Sequence, residues 1–83
     1  MKGEMIMAGN RKEKLDFHAF GDNLRKMRLS RNYTYEQLAE MLGVSVRIIY
    51  DWENGFKYPH AKRVVEIAWI LDVSLDDMFL RKK

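Results

Sequence analysis

The stretch "TYEQLAEMLGVSVRIIYDWENG", residues 34–55, contains the signals for two short helices in close succession. Thr34 followed three residues later by Gln37 is a capping-box pattern, which is typical of a helix N-terminus. Gly43 fits a helix C-terminus, where a residue with left-handed backbone is common. We therefore predict a helix that begins after Thr34 and ends before Gly43.

A second helix follows almost at once. Ser45 is a candidate N-cap for it, and Asn54-Gly55 is a stop signal. Because so few residues separate the two helices, they must cross steeply, which requires a small residue such as Ala39 at their contact. Their shared apolar interior is expected to contain Leu38, Leu42, Val44, Ile49 and Trp52. The complete set of features, in register, is a specific signal for a helix-turn-helix.

Helical patterns flank this unit on both sides. Between residues 16 and 32, after the candidate cap Asp16, apolar residues recur at spacings of three and four. Gly21 within this helix costs up to about 1 kcal/mol relative to alanine, so we expect another element to pack close to it. A fourth helix is expected over His60–Leu71, and a short fifth one after Ser74. The stripe of the first helix contains Phe17, Phe20, Leu24 and Met27.

No alternating strand pattern competes with these helices, so the fold is predicted to be all-α, a compact five-helix domain. The chain has 83 residues, which is the size of one small domain. Residues 1–15 show no apolar period and are predicted to be a flexible arm. Residues 16–80 form the predicted helix-turn-helix domain, and residues 81–83 a basic tail. The formal net charge of +3 is compatible with a nucleic-acid partner but does not demonstrate one.

The composition argues against several classes of function. The chain has no cysteine, which excludes disulfides and thiolate metal sites. His18 and His60 are far apart in the sequence, so no metal site is predicted. No apolar run approaches the roughly 20 residues that a membrane helix needs. We find no nucleophile setting, phosphate-binding loop or paired-carboxylate cleft, so neither an enzyme nor a cofactor is predicted.

The segment from Phe20 to Phe79 resembles the lambda-repressor-like family, the phage repressor and Cro type of helix-turn-helix regulator. The resemblance is carried by "FGDNLRKMR", "TYEQLAEMLGVS", "IYDWENG" and "EIAWILDVSLDDMF". It implies a sequence-specific transcriptional regulator, usually a repressor, that is cytoplasmic and of bacterial or phage type. It also implies a homodimer on a roughly palindromic double-stranded DNA operator, with the third helix in the major groove.

The resemblance assigns roles to residues of the second and third helices. The family usually has glutamine at the position of Tyr35, where a tyrosine hydroxyl can still reach a phosphate. Lys57, in the loop, is a further candidate for a phosphate contact. The predicted base-contacting residues are Val46, Arg47, Tyr50 and Asp51, and the predicted DNA-backbone contacts are Tyr35, Ser45, Asn54 and Lys57.

Arg47 and Asp51 carry opposite charges one helical turn apart. An arginine in the first turn of the third helix favours a bidentate contact to guanine O6 and N7, the commonest specific contact to DNA. Asp51 either orients Arg47 as an i, i+4 ion pair or accepts a hydrogen bond from cytosine N4, and the two roles are compatible. The alternative for Arg47 is a solvated side chain.

The resemblance also implies an ion pair between helices, which falls on Arg28 and Glu53. On the fourth helix, Val65 and Trp69 lie at the flank of the core stripe. Within one chain they are covered by the arm or by the last helix; otherwise they join the last helix in a two-fold dimer patch. That predicted dimer interface contains Val65, Trp69, Leu75, Met78 and Phe79.

A second class of function stays open, in which the same fold is an antitoxin-like or adaptor module. In that case the apolar residues Val46, Ile48 and Tyr50 of the third helix dock a regulatory protein partner. Salt separates the two classes, because DNA binding weakens steeply with ionic strength through counterion release. An apolar docking surface lacks that dependence.

Overall fold

The described part of the chain, residues 13–82, contains five α-helices and a pair of short strands. The coordinates are a computed structural model, and they confirm the predicted all-α, five-helix architecture. Residues 1–12 of the predicted arm and Lys83 of the predicted tail lie outside the described residues. The elements are β1 (Glu13–Leu15), a 3-10 helix (Phe17–Ala19), α1 (Phe20–Ser30), α2 (Tyr35–Leu42), α3 (Val46–Glu53), α4 (Ala61–Leu71), α5 (Leu75–Phe79) and β2 (Leu80–Lys82).

The strands correct the expectation that the sequence contains no strand. β1 pairs antiparallel with β2, and the register places Leu15 opposite Leu80. Each strand has three residues, which is too short for a period-two apolar pattern to stand out. Residues assigned to the end of the arm and to the basic tail therefore pair with each other.

The predicted caps set the bounds of α2 and α3. The amide of Gln37 donates to Thr34 Oγ1 at 3.0 Å, and the amide of Thr34 donates to Gln37 Oε1 at 2.8 Å. Gly43 ends α2 with a φ of +70°, a left-handed conformation that glycine adopts without steric cost. The Ser45 hydroxyl accepts the amide of Ile48 at 3.2 Å and starts α3. Local hydrogen bonds thus define the turn between the two helices.

The first predicted helix begins later than the apolar pattern indicated. A 3-10 helix occupies Phe17–Ala19, and α1 starts at Phe20. A 3-10 helix has three residues per turn, so its side chains leave the stripe that α1 continues with Leu24. Phe17 is consequently exposed and touches Phe79 edge-on, with 5.3 Å between ring centres. The prediction that Phe17 belongs to the apolar stripe of the first helix was wrong for this reason.

The core lies where all five helices pack together. Every residue predicted to lie inside the helix-turn-helix is buried or, in the case of Val44, partly buried. Burying a large apolar side chain contributes about 1.5–3 kcal/mol, so this shared interior holds the two helices at their crossing. The buried cluster contains Phe20, Leu24, Leu38, Ala39, Leu42, Ile49, Trp52, Ile67, Ala68, Leu71 and Met78.

Gly21 is a point of close approach between α1 and α3. A Cβ atom at Gly21 would lie 2.6 Å from the carbonyl oxygen of Glu53 and 2.8 Å from that of Trp52. Both oxygens belong to the backbone, so no flexible side chain can yield. The expected close packing at Gly21 is confirmed, and its missing side chain lets α1 contact the last turn of α3.

The predicted ion pair between Arg28 and Glu53 is present next to this contact. Arg28 Nε donates to Glu53 Oε2 at 2.6 Å and Arg28 Nη2 to Oε1 at 3.2 Å. Their side chains are 8% and 0% exposed, respectively. The hydrogen bond to Glu53, reinforced by its negative charge, raises the pKa of Arg28 above its ordinary value. The pair is therefore bidentate and buried.

Two further contacts hold the guanidinium of Arg28. Arg28 Nη1 donates to the carbonyl oxygen of Tyr33 at 2.9 Å. The guanidinium carbon lies 4.2 Å from the centre of the Tyr35 ring, which is a cation–π contact. A buried ion pair is tolerated when its remaining hydrogen-bonding groups are satisfied, and these contacts meet that condition while linking α1 to α2 and α3.

Replacing either Arg28 or Glu53 by alanine should destabilise the fold by about 3–5 kcal/mol, because the remaining partner becomes a buried charge without its counterion. Replacing both should cost less than the sum of the single changes. Denaturant unfolding of the wild type, both single variants and the double variant gives the coupling free energy.

Arg25→Ala is the matched control for this cycle. Arg25 Nε contacts the same carboxylate of Glu53 at 3.4 Å, but its side chain is 41% exposed. Its loss should therefore cost about 1 kcal/mol or less. A coupling free energy near zero between Arg28 and Glu53 would contradict the buried pair.

Candidate nucleic-acid interface

The helix α3 divides into a buried side and an exposed side. Ile49, Trp52 and Glu53 are buried against the rest of the domain. Val46 and Tyr50, one helical turn apart, are exposed. The exposed side includes three of the four residues that the sequence analysis assigned to base contacts: Val46, Arg47 and Tyr50.

Arg47 is the most exposed charged group on this side of α3. Its side chain is 75% exposed, and its Nε donates to Asp51 Oδ1 at 3.0 Å. Within residues 13–82 the two terminal nitrogens of Arg47 have no hydrogen-bond partner. The guanidinium is thus held at one corner, and its outer edge stays available to a ligand.

Asp51 is the fourth predicted base contact, and its carboxylate lies mostly inside. The side chain is 6% exposed. Its Oδ2 lies 3.9 Å from Lys57 Nζ, and its backbone carbonyl accepts the amides of Phe56 at 2.9 Å and Lys57 at 3.4 Å. Asp51 therefore connects Arg47 on α3 to the following loop, which agrees with the ion-pair interpretation of this residue.

Aromatic rings cluster beside Arg47. The Tyr50 ring lies 6.5 Å from that of Tyr35 and 6.2 Å from that of Phe56, measured between centres. The guanidinium carbon of Arg47 is 5.4 Å from the Tyr50 ring centre. These residues and Val46 surround a surface recess of about 420 Å³. We call it the aromatic recess, lined by Tyr35, Val46, Arg47, Tyr50 and Phe56.

Phe56 is a member of this cluster that the sequence analysis did not identify. It is exposed, and it follows the stop signal at Asn54-Gly55, so its place beside α3 depends on the path of the loop. The sequence signal that could have identified Phe56 is the presence of a large aromatic residue in a loop, next to Lys57, where a polar residue is the ordinary choice.

The predicted contacts to the DNA backbone surround the same surface. Ser45 is at the start of α3, where its hydroxyl is the N-cap. At the other end, the Asn54 side chain donates to the Tyr50 carbonyl at 2.9 Å. Tyr35 is partly buried beneath Arg28, and Lys57 is exposed. These side chains flank α3 at both ends.

The predicted dimer residues fall into two groups. Val65, Trp69 and Leu75 are exposed, and Trp69 is 82% exposed. Met78 is fully buried in the core, and Phe79 packs on Phe20 with 5.5 Å between ring centres. Met78 has no exposed surface that a partner could contact, so the prediction that it belongs to the dimer interface was wrong. The short last helix buries Met78 inward because that side chain completes the core.

An apolar groove that the sequence analysis did not predict borders Trp69. It lies between α2 and α4. Met41 of α2 is exposed at this groove. The groove is lined by Met41, Leu42, Val65, Glu66, Trp69 and Ile70.

Neither a metal-binding group nor a membrane span is found in the described part of the chain. Residues 13–82 hold no cluster of three or more histidine, cysteine or carboxylate side chains arranged for a metal ion. No helix in the same range is both long and apolar enough to cross a membrane.

Comparison with known proteins identifies related sequences over the same region. The chain is 37% identical over 59 residues to the HTH-type transcriptional activator BcrR of Enterococcus faecalis, covering 71% of this chain and 29% of that protein. It is 31% identical over 64 residues to the uncharacterized HTH-type transcriptional regulator YazB of Bacillus subtilis (strain 168), covering 77% and 93%, respectively. The chain thus spans less than a third of BcrR but nearly all of YazB.

A solved structure and a family model agree with these relatives. The P22 c2 repressor, solved in complex with a synthetic operator, matches the fold with a TM-score of 0.68 at 25% identity, covering 72% of this chain and 91% of that one. A family model described as helix-turn-helix matches residues 24–78. Because this match covers more than half of the chain, the chain belongs to the helix-turn-helix family.

Proposed function

We propose that this chain is a sequence-specific transcriptional regulator that places α3 in the major groove of double-stranded DNA. The observation that carries the proposal is the state of Arg47, which is exposed at the start of α3 and held at Nε by the buried carboxylate of Asp51. Guanine presents O6 and N7 as paired acceptors in the major groove. The free outer edge of the guanidinium matches that pair.

In this proposal Asp51 positions Arg47 and does not itself contact a base. Its side chain is 6% exposed and lies between two cations, Arg47 and Lys57. Fixing the arginine before binding reduces the conformational entropy that is lost on DNA. The carboxylate also lowers the local positive charge, which weakens non-specific attraction to phosphates and so favours discrimination between sequences.

Tyr35, Ser45, Asn54 and Lys57 are the proposed contacts to the DNA backbone. Contacts of this kind set the register of the protein on the duplex and carry no sequence information directly. The relatives include an activator and the matched structure is a repressor, so repression stays a prediction.

Selection of bound sequences from a pool of random duplex DNA tests the proposal. We expect enrichment of a motif that contains a guanine at a fixed position in each half-site. Recovery of no motif would contradict the proposal and favour the protein-interaction alternative.

The ion pair of Arg47 and Asp51 gives a specific prediction for that motif. Arg47→Ala should cost about 1–3 kcal/mol on the selected site and relax the preference at one base pair. Asp51→Asn should relax the same base pair, because Arg47 loses its support, and should raise affinity for random DNA. In the Arg47→Ala background, Asp51→Asn should leave the base preference unchanged. Titration of labelled duplexes that differ at single positions measures these effects.

Lys57→Ala is the control, and it should weaken binding to selected and random duplexes to a similar extent. Two results count against the assignment. One is an Arg47→Ala variant that loses equal affinity for both kinds of duplex. The other is a further change of base preference by Asp51→Asn when Arg47 is absent, since Asp51 would then contact a base directly.

We also propose that the chain binds DNA as a homodimer through the exposed surface around Val65, Trp69 and Leu75. Trp69 is 82% exposed. The last helix therefore does not cover Trp69, which was one of the alternatives. A two-fold pair would present two copies of α3 about 34 Å apart, one turn of DNA. Such symmetry requires a roughly palindromic operator, because the same surface contacts itself.

Trp69→Lys should yield a folded monomer with weakened operator binding, since an aromatic residue central to an interface is a common hot spot. Sedimentation equilibrium at micromolar concentration, with thermal unfolding as the test of folding, measures this. Leu29→Lys, at an exposed apolar residue of α1, should remain dimeric. A wild-type chain that is monomeric both free and on DNA would contradict the homodimer proposal.

A further inference from the structure

One exposed face of α4 carries a pattern that is complementary to itself. Four exposed residues of α4 and its C-cap follow each other at spacings of three, four and three, which places them in one stripe of the helix. The centre of this stripe is apolar, and its two ends carry opposite charges. We call it the α4 stripe, and its residues are Lys62, Val65, Trp69 and Asp72.

The charged ends of the α4 stripe are available to a partner. Neither Lys62 nor Asp72 makes a side-chain hydrogen bond or an ion pair within residues 13–82. Lys62 precedes Val65 by three residues and Asp72 follows Trp69 by three, so the two ends are equally far from the middle. An antiparallel copy of the stripe would place Lys62 against Asp72 and Val65 against Trp69. A parallel copy would place like charges together.

The apolar groove between α2 and α4 lies beside the α4 stripe and has room for a large side chain. Its volume is about 370 Å³, and Val65 and Trp69 form part of its lining on α4. Met41 is exposed on the α2 side. A tryptophan side chain buries about 150–250 Å². That area is a large share of the roughly 600 Å² per copy that the smallest stable interfaces bury.

Arg63 holds the two walls of the groove together. Its Nη1 donates to the carbonyl oxygen of Leu42 at 2.8 Å and to Glu66 Oε1 at 2.9 Å. Leu42 ends α2 and Glu66 lies on α4, so one guanidinium connects both helices. Glu66, the charged residue of the lining, is thereby paired. A groove formed before binding accepts an apolar group with little loss of conformational entropy.

We infer that a second copy of this chain docks on this surface, with the two α4 stripes antiparallel and Trp69 of each copy inserted into the groove of the other. The inference rests on the proposed homodimer and deepens it, because it assigns the register of the two copies and adds α2 to the interface. Through Met41, each copy then contacts the helix-turn-helix unit of the other.

The fluorescence of Trp69 tests the insertion directly. Trp52 is buried and Trp69 is exposed, so acrylamide quenches mainly the emission of Trp69 in a monomer. For the wild type we expect this quenching to be lost as the protein concentration rises, until it matches that of Trp69→Phe. Met41→Lys should remain quenched at concentrations that protect the wild type, because it places a charge in the groove. Leu29→Lys, the control on α1, should behave as the wild type.

Two charge variants test the antiparallel register. Lys62→Asp and Asp72→Lys should each weaken self-association about tenfold, since each change turns two attractive pairs per dimer into repulsive ones. An equimolar mixture of the two variants should associate as tightly as the wild type, because every contact then joins opposite charges again. Sedimentation equilibrium measures the association, and thermal unfolding verifies that each variant folds.

The possible failures can be told apart. A wild-type dimer whose Trp69 is quenched equally at every concentration would overturn the inference and leave the groove to a different protein partner. A dimer that tolerates Met41→Lys, or a mixture that associates no better than its components, would overturn the inference while the homodimer proposal stands. A wild-type chain that stays monomeric would overturn both, and sequence selection by α3 would remain a separate test.

Discussion

The buried ion pair between Arg28 and Glu53 fixes how α3 sits on α1, and the presentation of the proposed DNA-binding face depends on it. The pair is bidentate at the carboxylate, so it restrains rotation of α3 as well as its distance from α1. Gly21 makes the pairing feasible, because any side chain there would collide with the backbone of α3. The C-terminal turn of α3 is thereby locked, and the N-terminal turn projects Val46 and Arg47 outward.

The same helix carries an acidic residue, Asp51. Because DNA is negatively charged, a carboxylate on α3 at first contradicts a DNA-binding role. The burial of Asp51 resolves the contradiction, since its carboxylate is 6% exposed and engaged by Arg47. The ring contacts extend the arrangement from Arg28 through Tyr35 and Tyr50 to the recess. One continuous set of contacts therefore runs from the buried pair to the proposed base-reading groups.

Local signals in the sequence predicted most of the fold. The capping box at Thr34, the left-handed Gly43 and the Ser45 cap are interactions within a few residues, so their patterns are readable without tertiary structure. The resemblance to known regulators supplied the pair Arg28 and Glu53, which spacing alone does not reveal.

Long-range features were not predicted from the sequence. The Asn23 side chain donates to the carbonyls of Asp77, Met78 and Leu80, and Arg63 Nη1 caps α2 at the Leu42 carbonyl. Phe56 joins the recess only because the loop folds back.

The central claim is that α3 reads DNA sequence, and the affinity of the wild-type chain for two duplexes across a range of salt tests it most directly. One duplex carries the selected motif and the other the same bases in scrambled order. Between about 50 and 200 mM salt, both affinities should fall by tenfold or more through counterion release, while the selected duplex stays the tighter ligand at every concentration. Equal affinities for the two duplexes, or affinities that do not change with salt, would contradict the claim.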